Sequence, residues 1–238
     1  MDISLREFVG ELLGNLVSFD SRVWRTLVPL LFRPGELTAR YLAGQRVRFV
    51  PPVRLYVFVS ILYFLLMAWI GADGEVLRGV DDVTGGPTPE EIVAEADVPE
   101  FFRGVLADPA AFRRAFLQGL SYLMFFLVPA FAGLTALAYW RRKRPYLHHL
   151  LFAVHIHAFV FLLLSVQVLL EASVVLRSVG ELLTLAVPVY LYMGLRRVYG
   201  GRRWVAGIRV AALLMSYMLI LGLSVAALAL LLIYVWSR

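Results

Sequence analysis

The chain has 238 residues, 61% of them hydrophobic and only 17% charged, with a mean hydropathy of +0.77, whereas a soluble domain carries roughly 25% charge. A water-soluble globule is therefore excluded, and lipid is the expected solvent. The formal charge of +6 sits beside apolar runs of spanning length, so the anionic inner leaflet is the expected partner and nucleic acid is not. With no cysteine, disulfides and thiolate metal sites are also excluded.

Residues 2–18 place Leu5, Phe8, Val9, Leu12, Leu13 and Leu16 at helical spacing, which predicts an amphipathic helix. Asp2, Glu7 and Glu11 stand where a basic leader would, so no cleavable signal is expected. After a turn at Ser18–Ser21, Val23, Trp24, Leu27, Leu30 and Leu31 make a second stripe that ends at Arg33-Pro34-Gly35, a breaker pair. A third short helix, about 36–43, carries Leu37, Tyr41 and Leu42 and stops at Gly44. None is long enough to span. Residues 1–51 are expected to lie in the inner interface or fold back on the spans, with Arg33, Arg40, Arg46, Arg48 and Arg54 as candidate lipid-headgroup contacts.

A helix needs ~20 apolar residues to cross the ~30 Å of hydrocarbon. Five stretches qualify, at about 52–71, 116–139, 148–170, 179–195 and 206–235. The first opens at Pro51-Pro52, and the fourth is short, with Glu181 near one end and Pro188 inside. The insert 72–115 is expected to form a small extracytoplasmic helical cap, with Thr88 starting one helix and Asp108-Pro109 another that runs into the second span. The expected fold is all-α: a polytopic transmembrane helical bundle (52–238) of about five spans with N-terminal interfacial helices.

Orientation follows from the cations. Arg141, Arg142, Lys143 and Arg144 in one connector, and Arg196, Arg197, Arg202 and Arg203 in another, have no acid among them, while 73–114 holds ten acids against four arginines. By the positive-inside rule, 1–51, 140–147 and 196–205 face the cytoplasm of a bacterial inner membrane and 72–115 faces outward. Five crossings put the C-terminus outside.

All four histidines, His148, His149, His155 and His157, fall within ten residues of the third span. At 100° per residue His148 and His155 point within about 20° of each other while His157 lies nearly opposite His155, so one helix cannot aim all four at one ion. No metal or cofactor is expected. His148 and His149 read as interfacial residues beside Arg144. His155 and His157 read either as buried groups paired with neighbouring hydroxyls and carbonyls, or, with Glu181, Gln167 and Ser165, as a candidate intramembrane polar site. No catalytic residue is assigned. Arg209, one turn into the last span, is expected to snorkel.

The pieces Arg25-Thr26-Leu27 through Leu31, Arg33-Pro34-Gly35, Tyr41-Leu42-Ala43-Gly44-Gln45-Arg46 and Phe49-Val50-Pro51-Pro52-Val53-Arg54-Leu55-Tyr56 resemble the bacterial family called domain of unknown function 3667. His148 through Phe159 and Tyr192 through Gly200 are also similar to it, so the resemblance spans roughly residues 20–205. Many members begin with a Cys-x-x-Cys-Gly tag that this chain lacks. The resemblance supports a membrane placement and adds no mechanism. Three function classes stay open: an accessory or transport-related protein for a lipid or small amphiphile, a membrane-embedded enzyme acting on lipid through His155 and His157, and a membrane scaffold for partners. A protein partner and a homo-oligomer are both compatible with the sequence.

Overall fold

The computed structural model describes residues 21–72, 109–171 and 177–236, and every regular element among them is helical. The elements are α1 (Ser21–Phe32), α2 (Glu36–Leu42), α3 (Pro52–Ala72), α4 (Pro109–Ala138), a 3₁₀ turn (Trp140–Arg142), α5 (Tyr146–Glu171), α6 (Arg177–Leu183), α7 (Ala186–Tyr199) and α8 (Arg203–Trp236). The helix expected at 2–18 and the acidic insert 73–108 lie outside the described residues.

Among the described residues, three helices are long and apolar enough to cross a membrane: Arg114–Ala138, Tyr146–Leu170 and Arg203–Trp236. At 1.5 Å per residue each exceeds the ~30 Å hydrocarbon core. The apolar stretch Pro52–Met67 of α3 is shorter. Prolines mark the starts, since α3 begins at Pro52 and α4 at Pro109, positions where the first amide has no intrahelical acceptor to lose.

The stretch expected as one fourth span is two helices, α6 and α7. The break falls one turn before Pro188. That proline has no amide to offer the Thr184 carbonyl, and its ring crowds the same oxygen. Val187 N–H bonds the Thr184 carbonyl instead at 3.2 Å, and Leu185 N–H bonds Leu182 at 3.1 Å, both tight i→i−3 contacts.

The bundle is built around α5, which packs on α3, α4, α6 and the collar helices α1 and α2. Phe152, Ala153 and Ala158 are fully buried on it. Its apolar residues run all the way round, as a helix walled in by others requires. Helix α8 is the reverse case, with only Ala206, Val210 and Leu213 buried, all in its first third. Beyond them Met215, Met218, Leu219, Leu223, Leu230 and Leu231 are exposed, an outer surface suited to hydrocarbon.

Candidate functional site

The collar is held by backbone groups that its own sequence leaves open. The carbonyl of Leu30 would bond the amide of residue 34, but that residue is proline. The Tyr190 hydroxyl on α7 takes the vacancy, and Arg197 Nη1 donates to the Pro34 carbonyl at 3.1 Å. Gly35 follows with φ 73°, in the left-handed region, and packs directly on the backbone of Gly194. Gly44, at φ 87°, ends α2 with Gln45 N–H on Arg40 and Gly44 N–H on Tyr41, the paired bonds of a Schellman cap.

Both backbone groups of Val50 are tied back to this collar. Its N–H donates to Thr26 Oγ1 at 2.9 Å, and its carbonyl accepts from the Tyr41 hydroxyl at 2.6 Å. Thr26 is fully buried and also donates to the Arg22 carbonyl at 2.6 Å. Burial pushes the Tyr41 hydroxyl above its ordinary range, with Arg46 opposing, so it stays a donor. The short helices are thus folded back against α5 and α7. One face of α1 still points outward: Trp24, Val28, Leu31 and Phe32 are exposed at i, i+4, i+7 and i+8, and Arg22 and Arg25 flank them.

The buried histidines each find a different neighbour. His155 Nδ1 and Thr38 Oγ1 of the collar share a 2.9 Å hydrogen bond, and His155 Nε2 is buried without a partner. His157 Nδ1 must donate to the Ala153 carbonyl (2.8 Å), since a carbonyl only accepts, which leaves Nε2 to take the Tyr217 hydroxyl of α8 at 2.7 Å. His149 is 2% exposed, buried within the bundle. Its Nδ1 meets the Tyr199 hydroxyl at 2.9 Å, because α7 closes over that face of α5. Ser165 bonds back to the Phe161 carbonyl at 2.7 Å, and Gln167 Oε1 accepts from Thr184 at 3.4 Å. Glu181 lies on α6, and its side chain is outside the described residues. His155 and His157 are therefore not brought together with Ser165 and Gln167 at a common point. Among the described residues no three His, Asp or Glu side chains gather around a metal-sized site.

What the fold does gather is arginine. The end of α4, the start of α5, the end of α7 and the start of α8 meet at one end of the bundle through a ring column. Tyr139 stacks on Tyr199 at 4.3 Å and Tyr199 on His149 at 5.2 Å. Arg209 covers the Tyr139 face at 4.4 Å and Arg144 the Tyr199 face at 5.2 Å. Beside the column lies a cavity of about 420 Å³ lined by Ala138, Tyr139, Trp140, Arg141, Arg142 and Arg209.

Of the expected headgroup contacts, Arg33 and Arg40 pair with Glu36, which also engages Arg197 at 3.5 Å. Arg46, Arg48 and Arg54 are exposed and have no carboxylate partner among the described residues. The cavity arginines were visible in the sequence as a basic connector and a snorkelling residue. Their convergence with Tyr139 was not.

Residues 20–64 match the family described as Protein of unknown function (DUF3667). The chain resembles that family. The match covers α1, α2 and the first part of α3, the segment that holds Thr26, Gly35, Thr38, Tyr41 and Val50, while the histidine run and the Tyr192–Gly200 stretch lie outside it. No curated protein and no solved structure matches the chain.

Proposed function

We propose that this is an integral membrane protein of the bacterial inner membrane that handles a lipid or small amphiphile as an accessory to transport, binding anionic headgroups at its arginine-rich, cytoplasmic end. One observation carries the reading: the cations collected there far outnumber the carboxylates. Residues 109–170 and 182–238 contain no acid at all, and Glu36 is already shared among Arg33, Arg40 and Arg197. Charge of one sign at a membrane surface attracts the opposite headgroups, at about 1 kcal/mol per basic residue. The outward face of α1, apolar with arginines beside it, suits a helix seated in the interface.

A lipid-directed enzyme needs histidine and carboxylate to converge, and the described histidines point to separate partners. The geometry therefore favours binding over catalysis. The test is delipidation of the full chain followed by native mass spectrometry with phosphatidylglycerol and phosphatidylcholine. Retention of the anionic lipid in preference, weakened when Arg46, Arg48 and Arg54 are all changed to Gln, supports the reading. Equal retention of both lipids overturns it.

A further inference from the structure

Three guanidinium groups, from Arg141, Arg142 and Arg209, line one cavity, and no carboxylate of the surrounding segments is available to balance them. Such a cluster repels itself unless an anion enters. Tyr139 lines the same wall and is only 1% exposed, and its hydroxyl proton finds no acceptor, since the Arg209 guanidinium beside it only donates. Buried donors are normally paired, so an open one beside a cavity offers a contact to an acceptor that enters it. Arg142 reaches across to the α7–α8 connector, where its Nη2 stands 3.8 Å from the Cβ position of Gly201. The cavity is thus framed by two connectors.

Trp140, 69% exposed, carries Arg141 over its ring at 5.4 Å and stands just past the apolar run of α4. An indole at that level belongs with headgroups, its ring facing the glycerol and upper acyl region. The volume of about 420 Å³ falls within the roughly 300–1,000 Å³ of small-ligand clefts.

We propose that the cavity of Tyr139, Trp140, Arg141, Arg142 and Arg209 binds the phosphate of an anionic membrane lipid, an inference that rests on the lipid-handling reading and names where the headgroup is held. Guanidinium forks match phosphate oxygens in pairs, and the Tyr139 hydroxyl supplies a further donor. Three cations favour a doubly charged phosphomonoester over a phosphodiester with one charge. A free phosphate offers the same oxygens, but it leaves the exposed Trp140 ring and the adjoining apolar end of α4 uncovered.

The experiment titrates the delipidated full chain with phosphatidic acid, phosphatidylcholine and inorganic phosphate, read by native mass spectrometry. Arg142→Gln and Arg209→Gln are each expected to weaken phosphatidic acid binding roughly tenfold, the loss of one charge-assisted contact. Tyr139→Phe keeps the ring column and removes only the hydroxyl, so its weakening, expected to be several-fold, is independent of misfolding. Helical circular dichroism checks the fold of all three.

Unchanged phosphatidic acid affinity in all three variants overturns the site. Displacement of phosphatidic acid by millimolar inorganic phosphate overturns lipid as the source. If the parent binds no anionic lipid, the broader reading falls with the site. If only the Arg46/Arg48/Arg54 variant loses binding, the broader reading stands and the site does not.

Discussion

Gly35→Ala is the most searching test of how the collar is seated. Gly35 has φ 73° and ψ −5°, so an alanine there carries the left-handed penalty of about 1–2 kcal/mol. The added Cβ would stand 2.8 Å from both Cα and the carbonyl oxygen of Gly194 and 3.2 Å from its carbonyl carbon. Carbon contacts settle near 3.5–4.0 Å, so one backbone must retreat by roughly 1 Å. Retreat is opposed by the Tyr190 and Arg197 bonds to Leu30 and Pro34. Overpacking of this kind adds about 1–3 kcal/mol, for a total loss of about 2–5 kcal/mol.

Gly194→Ala is the matched control, since its Cβ would meet the Phe152 ring edge at 3.4 Å and Gly35 N at 3.6 Å. A ring can yield a few tenths of an ångström, and alanine inside α7 gains up to about 1 kcal/mol of helix propensity. That variant should stay within about 1 kcal/mol of the parent, a balance of this gain against slight crowding. Parallel unfolding of both variants in detergent decides. A Gly35→Ala loss no larger than that of Gly194→Ala would refute the reasoning, because the backbone contact and the left-handed turn would then carry no weight.

Thr26→Val, isosteric but without the hydroxyl, leaves the Val50 amide buried and unpaired and should cost about 1–3 kcal/mol in the same unfolding assay, with Thr26→Ser recovering most of it. Tyr217→Phe removes the partner of His157 Nε2 and should lower stability by about 1–3 kcal/mol. His157→Ala should lower it further, by leaving a cavity as well. A cellular phenotype lost by either variant at full stability would restore the histidine as a functional group. Reporter fusions at Lys143 and Gly85 should give opposite signals, since the cations fall on one side and the acids on the other, and like signals would reject the orientation.

Length, proline placement and charge are properties of the chain in one dimension, and they were legible as such. The apolar runs became helices close to their expected limits, starting at Pro52 and Pro109, and the turns came at Arg33-Pro34-Gly35 and Gly44. Each of these depends on local chemistry alone: a missing amide, a positive φ, an uninterrupted apolar length. The gap between α6 and α7 was also latent in Pro188, although where the chain repaired its hydrogen bonds was not.

Partner choice is another matter, because it depends on how each helix is rotated about its own axis when it packs. The spacing of the four histidines shows that one helix cannot aim them at a single point, but not which partner each meets: α5 turns His149 toward Tyr199, His155 toward Thr38 and His157 toward Tyr217, on three different elements. Arg209 and Arg142 are far apart in sequence, and only the docking of α8 beside the end of α4 puts both on the cavity under Tyr139. Sequence alone determined that this chain is a helical protein made for lipid, with its cations collected in short connectors. Only the tertiary structure decided which polar groups are satisfied and which stay open, because satisfaction is a matter of distance between elements that the chain leaves far apart.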